Sequence, residues 1–364
     1  MKNKKILIVS SEFPPLPGGI GNHAYHLASY FCKKGYQIQV ITDQRANDNT
    51  DFIFDESQRF KIKRIALKRF RFLMYIQRIF ITANAIRKSD IVFATGKFSL
   101  WNVAFCSLFF NREILAVLHG SEVNLKNDVL QYLTTKSLKQ FNKLVAVSHF
   151  TKHFVSHLKK PVFVIPNGID MAFWDKPPHG DILLSGKPVL TTVGRVSDRK
   201  GQLNVIKQLP ELIKCFPNVH YHCIGIPSQA EAFTATAKKL GVEKHVTFHG
   251  AVSSKQLKQA LKATDIFVML SSESVSGDVE GFGIAILEAN ALGVPAIGSK
   301  GCGIEDAINA GATGFIIEPD NTIALKHAVE KLLENPEKFS YKARQWAKKH
   351  DWNSIIEQYD ALLK

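Results

Sequence analysis

The sequence predicts an α/β protein built from two doubly wound parallel-sheet domains, and three observations carry that reading. The chain has 364 residues, more than a single hydrophobic core usually organises. Short, β-branched apolar runs ending in small or polar residues recur along it, separated by amphipathic stretches, as buried parallel strands and their covering helices require. One stretch rich in Pro, Gly and polar residues, 170–187, interrupts the alternation, and a domain boundary belongs there.

In the first half the strand candidates are 6–10, 38–42, 91–95, 114–119, 144–148 and 162–166. The opening MKNKKILIVSSEFPP has a basic front, but its apolar run from Ile6 to Val9 is too short for a secretory core and leads into Pro14 and Pro15, so it reads as the first buried strand. The longest other apolar run, Phe98 to Phe110, is interrupted by Asn102 and Ser107 and falls short of the roughly 20 residues that span a bilayer. No transmembrane segment is expected. The second half repeats the pattern at 189–193, 219–224, 246–248, 266–270, 296–299 and 314–317, and the chain ends on an amphipathic stretch from Trp346 to Leu362. Domains are therefore drawn at 1–175 and 176–350, with 351–364 as a terminal helix.

Composition excludes several classes. Hydrophobic residues make up 45% and charged residues 22%, the profile of a folded protein rather than a disordered one. The five cysteines, Cys32, Cys106, Cys215, Cys223 and Cys302, are odd in number and lack metal-ligand spacing, which suits buried thiols in a reducing cytoplasm. The formal charge of +15 is concentrated: residues 1–180 hold 26 Lys/Arg against 12 Asp/Glu, whereas the remainder is nearly balanced. Between Arg59 and Lys88 stand ten basic residues and no acidic one, interleaved with Phe, Leu, Ile and Tyr. This stretch reads as a basic amphipathic helix, either lying on an anionic membrane surface or packed on the sheet with a solvated basic face. No nucleic-acid-binding module accompanies the charge, so nucleic acid is not an expected partner.

In doubly wound sheets ligands sit beyond the carboxyl ends of the strands, so the residues just after each strand are the candidates. After the first strand comes Pro14-Pro-Leu-Pro-Gly18-Gly19-Ile-Gly21, whose glycines let backbone N–H groups approach an anion at a helix start. Gly19-Ile-Gly21-Asn-His-Ala24, with Asp43 further on, also fits a dinucleotide fingerprint. Against that reading, a long proline-bearing loop separates Ser10 from Gly18, where the fingerprint needs an immediate tight turn. In VGRVSDRKG, Arg195 and Lys200 follow a strand and precede a helix near Gly201. Two cations there can neutralise a diphosphate, although each is also an ordinary surface charge.

The most informative segment is GDVEGFGIAILEANALGVP, 277–295. Gly281 and Gly283 permit a tight turn into a helix that stops at Gly293. Glu280 falls in the loop and Glu288 on the helix, about one and a half turns in. Carboxylates accept hydrogen bonds from vicinal hydroxyls, while free N–H groups of Gly281, Phe282 and Gly283 can face phosphates. An acid near a helix start is also favoured by the helix dipole alone.

The pairing of Arg195-x4-Lys200-Gly with Glu280-Gly-Phe-Gly-x4-Glu288 resembles the retaining GT-B glycosyltransferases of family 4. Pro17-Gly-Gly19, His119-Gly-Ser-Glu122, Ser148 in VAVSHFTKH and Ile165-Pro-Asn-Gly-Ile-Asp170 follow in the family's order. The wording of 277–299 looks most like bacterial enzymes of the phosphatidylinositol mannoside mannosyltransferase type, which use GDP-mannose. The resemblance implies two Rossmann-like domains facing a central cleft, with the terminal helix packing back on the first, acceptor-side domain and a nucleotide-sugar donor bound by the second. It assigns Glu288 to the donor ribose and Glu280, with the 281–283 amides, to the transferred sugar and diphosphate. Arg195 and Lys200 would clamp the diphosphate, His119 would approach the sugar, and Gly19 the phosphate or acceptor side. It implies no metal or other cofactor, protein cations taking the place of Mg²⁺, and a hexose, mannose by subgroup likeness, delivered to a lipid-linked or polysaccharide acceptor at the inner membrane face. The alternatives weighed beside it are a nucleotide-sugar epimerase or hydrolase on the same scaffold and a non-catalytic membrane- or nucleic-acid-binding protein.

Overall fold

The computed structural model describes residues 4–45, 49–176, 178, 180, 182–275 and 277–364. Of the linker expected at 170–187, residues 177, 179 and 181 lie outside the described residues. The chain forms two compact units, one comprising residues 1–167 with 352–364, the other residues 168–351.

Unit 1 alternates strand and helix: β1 (Lys5–Ser10), α1 (Gly19–Lys33), β2 (Gln37–Asp43), α2 (Thr50–Glu56), β3 (Lys61–Ile65), α3 (Arg71–Arg87), β4 (Ile91–Thr95), α4 (Lys97–Ser107), β5 (Glu113–Leu118), α5 (Asp128–Leu138), β6 (Lys143–Ala146), α6 (His149–His153) and β7 (Val162–Val164). The strands form one parallel sheet in the order β3-β2-β1-β4-β5-β6-β7. Helices cover both faces, so the central strands are buried almost end to end: β4 is buried at every position and β5 at all but its first. Leu7, Val9, Val92, Ala94, Ala116 and Leu118 from the sheet meet Leu100, Val103 and Leu138 from α4 and α5 in one core. The order reverses between β1 and β4, which opens a crevice at their carboxyl ends.

Unit 2 contains α7 (Met171–Trp174), β8 (Val189–Val193), α8 (Gln202–Cys215), β9 (His220–Ile224), α9 (Ala230–Lys239), β10 (Val246–Gly250), α10 (Ser254–Lys262), β11 (Ile266–Met269), α11 (Ile284–Ala291), β12 (Ala296–Ser299), α12 (Ile304–Ala307), β13 (Gly314–Ile317), α13 (Thr322–Glu334) and α14 (Pro336–Lys349). Its six parallel strands run β10-β9-β8-β11-β12-β13. The reversal here lies between β8 and β11, the two strands that precede Arg195–Lys200 and the Glu280 loop.

The sequence-predicted strands all form, and one strand was not anticipated. The basic stretch from Arg59 to Lys88 is not one helix: Lys61–Ile65 is β3, paired in parallel with β2, and the helix is confined to Arg71–Arg87. KIKRI alternates along an edge strand, with Lys61 and Lys63 exposed and Ile62 and Arg64 half-buried. Lysines on the open side of an edge strand discourage further pairing. Arg64 is anchored inward, its guanidinium donating to both oxygens of Asp55 at 2.9 and 2.8 Å and lying 3.2 Å from Asp51.

The terminal stretch from Trp346 to Leu362 is likewise two helices. α14 stops at Lys349, Asp351 bridges to Ile169, and α15 (Trp352–Ala361) belongs to unit 1. Trp352 is buried and its indole stacks on His26 with ring centroids 5.3 Å apart. Tyr359 Oη and His23 Nε2 are 3.1 Å apart, and the hydroxyl of Tyr36 donates to Asp360 at 2.7 Å. Trp352→Ala should cost about 3–5 kcal/mol, the usual price of emptying a buried aromatic site. The loss is expected as reduced hydrogen-exchange protection of the α1 amides; unchanged protection there would show that α15 does not stabilise α1.

Candidate functional site

The second sheet gathers charge where β8 and β11 end. After β8 the chain passes Gly194 to a 3-10 turn, Asp198–Lys200, and enters α8 through Gly201 at φ 77°. A Cβ on Gly201 would lie 2.0 Å from the carbonyl oxygen of Leu270, just past β11. That contact holds the cationic turn against the neighbouring strand, and Ser272 N donates to Arg199 O at 3.2 Å. The turn delivers Lys200 Nζ and Arg199 Nη1 to the same oxygen, Glu280 Oε2, each at 2.6 Å. Arg199 Nε also reaches Asp278 Oδ2 at 3.0 Å.

Glu280 is held by its backbone as well as its side chain. Gly303 N donates to Glu280 O at 2.8 Å, and Gly303 packs so closely that an added Cβ would be 1.9 Å from the carbonyl oxygen of Gly281. Phe282 is buried beside His350. Gly283, at φ 93°, turns the chain into α11 with no side-chain cap. The first amides of α11 therefore face the side of the loop where an anion would be favoured. Glu288 is the fifth residue of that helix, about one turn from its start.

The two acids are tuned in opposite directions. Burial alone would raise the Glu280 carboxyl, but Lys200 and Arg199 outweigh it and hold it below the usual carboxylate value. Glu288 is pushed up to about 7 by burial, with Lys200 pulling the other way. Lys200 thus acts on both carboxylates, and Glu288 sits poised between charged and neutral forms near neutral pH.

Of the sequence candidates in this unit, Lys200, Glu280, Gly281, Phe282, Gly283 and Glu288 lie in one neighbourhood. Arg195 does not join the ion cluster. Its side chain is exposed and its carbonyl accepts from Ser197 and Gln202, while the guanidinium beside Glu280 is that of Arg199. The residues missed from sequence are Arg199, Asp278 and Gly303. Arg199 stands in the same DRKG turn, and only the register of that turn decides which arginine points inward.

In unit 1, His119 follows β5. Its Nε2 lies 2.9 Å from Thr95 Oγ1, its backbone N–H donates to Glu122 Oε1 at 2.6 Å, and its ring meets His23 edge-on at 5.0 Å. Burial lowers its pKa to about 4, so the imidazole is neutral at pH 7. Gly19 opens α1 with open space where a Cβ would stand, leaving its backbone uncovered, whereas Gly21 packs against the backbone of Phe13. Asp43, the acid of the dinucleotide alternative, is taken by Arg78, whose Nη2 lies 2.6 Å from its Oδ2.

Two outcomes follow from this geometry. Gly303→Ala should lower stability by about 1–3 kcal/mol, as overpacking does, and weaken nucleotide binding by displacing the Glu280 loop. Calorimetry of both unfolding and nucleotide titration checks this, and a variant retaining both values would contradict the close packing. The native state also holds a proton on Glu288 that the unfolded chain releases near the ordinary carboxylate value. Stability present below that value is therefore lost as pH rises through about 7. Ligand-free Glu288→Gln should show a flatter thermal midpoint between about pH 5 and pH 8 than the parent protein, and parallel profiles would remove Glu288 as the source.

Residues 17–173 match the family described as Glycosyltransferase Family 4, and residues 180–350 match Glycosyl transferases group 1. The GDP-mannose-dependent monoacylated alpha-(1-6)-phosphatidylinositol monomannoside mannosyltransferase of Corynebacterium glutamicum is 25% identical, covering 92% of this chain and 90% of that protein. The GDP-mannose-dependent alpha-(1-6)-phosphatidylinositol monomannoside mannosyltransferase of Mycolicibacterium smegmatis is 32% identical over 65% of each chain. Among solved structures, Anabaena HepE in complex with UDP superposes with a TM-score of 0.78 at 18% identity, over 99% of both chains. The two parallel-sheet units, the site at the end of β8 and β11, and family matches that run from residue 17 to residue 350 agree: the chain belongs to the GT-B glycosyltransferases of family 4.

Proposed function

We propose that this glycosyltransferase moves a hexose, with mannose as the preferred sugar, from a nucleotide-diphosphate donor to a lipid-linked or saccharide acceptor in cell-envelope glycan synthesis, with retention of anomeric configuration. The observation that carries the reading is the convergence of Lys200 and Arg199 on Glu280, with Glu288 on the helix that follows. Mannose and a lipid acceptor are supported by the two mannosyltransferase relatives, whose names specify both.

Each residue then has a chemical task. Glu288, once ionised, accepts hydrogen bonds from the ribose hydroxyls. Glu280 accepts from the hydroxyls of the transferred sugar, with the amides of Gly281, Phe282 and Gly283 turned to the diphosphate. Lys200, Arg199 and Arg195 offset the charge that collects on the leaving diphosphate as the bond from the anomeric carbon to the phosphate oxygen breaks. In a front-face path the acceptor oxygen bonds that carbon on the face the diphosphate leaves, and the acceptor proton passes to the departing phosphate oxygen. His119 supplies a neutral imidazole for the sugar, and the uncovered backbone of Gly19 faces a phosphate or the acceptor. Protein cations take the electrostatic role of Mg²⁺, and no cofactor is required.

We propose that the acceptor is met at the inner membrane face, and the exposed surface of α3 supports this reading. No helix among the described residues is long and apolar enough to cross a membrane. α3 nonetheless exposes Phe72, Leu73, Tyr75, Ile76 and Phe80, just after the exposed Lys68 and Arg69. An apolar helical face beside lysines and arginines suits the interface of an anionic bilayer.

The test is a panel of GDP-, UDP- and ADP-sugars, with and without EDTA, scored by thermal protection and by sugar transfer to lipid acceptors in anionic vesicles. GDP-mannose should protect best, transfer should survive EDTA, and Glu280→Gln should lower turnover by about 10²-fold, the scale for losing one charge-stabilising group. Loss of turnover in EDTA would overturn the metal-free path. Free sugar or an epimerised nucleotide sugar as the only product would replace transfer with hydrolysis or epimerisation.

A further inference from the structure

His119, just past β5, is held at two points by hydrogen bonds: its backbone N–H donates to Glu122 Oε1 at 2.6 Å, and its Nε2 lies 2.9 Å from Thr95 Oγ1. A bond at one ring atom still lets the imidazole swing, because the last torsion of a histidine is broad. The restraint on that swing comes from His23, the fifth residue of α1, whose ring meets that of His119 edge-on with centroids 5.0 Å apart and planes at 78°. Nδ1 of His119 has no hydrogen-bond partner among the described residues and, unlike Nδ1 of His23, is not fully buried. It is the ring atom that a ligand can reach.

His23 is itself fixed from the terminal helix. Tyr359 Oη lies 3.1 Å from His23 Nε2, and Trp352 closes on the same imidazole edge-on at 5.1 Å. Burial pushes the Tyr359 phenol up, so its proton is in place to donate. The direction of the bond follows from the atoms around it. His23 Nδ1 is buried without a hydrogen-bond partner, and Tyr359 Oη has no partner but His23 among the described residues. With Tyr359 donating, only Nδ1 goes unpaired; with His23 donating, Nδ1 and the phenol proton both do, and each unpaired buried group carries its full desolvation cost. Tyr359 is therefore the donor, and His23 carries its proton on Nδ1. Burial, reinforced by His119 and His26, holds His23 well below the usual histidine value, and burial lowers His119 to about 4. Both rings are neutral at pH 7, so what passes between them is orientation and not charge.

We infer that Tyr359 and His23 are positioning residues for the transfer reaction: the hydroxyl of Tyr359 fixes the His23 imidazole, and that imidazole sets the orientation in which His119 offers Nδ1 to the transferred sugar. The inference rests on the role given to His119 above and adds to it a relay that starts in the last helix of the chain. Neither Tyr359 nor His23 touches the ligand in this scheme. Their contribution is the one made by any supporting contact that locks the rotamer of a group facing substrate.

The experiment joins ring-nitrogen magnetic resonance of the histidine-labelled full chain to a double-mutant cycle. In the ligand-free parent, His119 should show a single neutral tautomer. Tyr359→Phe removes one oxygen and keeps the ring, and it should move the ring nitrogens of His119 toward averaged shifts. With GDP-mannose and vesicles of phosphatidylinositol monomannoside, Tyr359→Phe should lower kcat about three- to tenfold, the scale of one hydrogen bond, and leave KM for GDP-mannose within about twofold. In a His119→Ala background the same substitution should have no further effect, as required of a residue that acts through His119. His23→Leu should reproduce the loss, and His23→Gln, which can still accept from Tyr359, should restore part of kcat. Unchanged His119 ring nitrogens in Tyr359→Phe, or equal losses in the parent and His119→Ala backgrounds, would overturn the inference and leave the transferase reading standing. Full turnover by His119→Ala would withdraw His119 from the reaction and the relay with it. Absence of mannosyl transfer, with His119 signals that still respond to Tyr359→Phe, would remove the mannose reading and support the relay.

Discussion

One carboxylate oxygen organises the second unit: Glu280 Oε2 receives both Lys200 and Arg199. Neither the cations nor the acid is fully solvated, and withdrawing one partner from such a cluster typically costs about 3–5 kcal/mol. The backbone explains why the cluster stays assembled. Gly201 is seated on the Leu270 carbonyl and Gly303 on that of Gly281, so the turn after β8 packs against the end of β11 and the loop after β11 against the turn after β12. A leaving diphosphate would meet cations held in place beforehand, which is the condition for electrostatic stabilisation without reorganisation. The same crowding keeps Glu288 near a neutral form until a ligand or a rise in pH favours its ionisation.

The first unit solves a different problem, that of carrying most of the chain's positive charge. Part of it is consumed internally: Arg64 binds Asp51 and Asp55, and Arg78 binds Asp43. The rest, including Lys61, Lys63, Lys68 and Arg69, is turned to solvent, and Phe70 and Phe72 stand exposed just after Arg69. The division follows from position in the sheet. An arginine facing the core side needs a partner because an unpaired buried charge is prohibitively costly, whereas a lysine on the outer edge needs only water.

Much of this was legible in the amino-acid order, for reasons that can be named. The buried strands advertise themselves as continuous apolar runs because both faces of each sheet are covered, and the loop around Glu280 is marked by glycines, of which Gly283 takes φ 93°, a backbone that L side chains rarely adopt. β3 was illegible because Lys61-Ile-Lys-Arg-Ile65 has the composition of a charged helix, and its strand identity comes from pairing with β2. Arg199 was passed over in favour of Arg195 since both lie a few residues beyond β8, and nothing in VGRVSDRKG encodes the 3-10 turn that sets their directions. Long-range contacts decided each of these, and local sequence carries little of them.

The path of the polypeptide has a consequence for how the protein is made. Residues 168–351 are contiguous, while unit 1 includes 352–364, so the second unit is an insertion within the first. During synthesis the ribosome releases every residue of the inserted unit before Trp352 emerges to cover His23 and His26. The unit begun first is thus completed last, and until then α1 presents an uncovered aromatic face that chaperones or aggregation partners can reach.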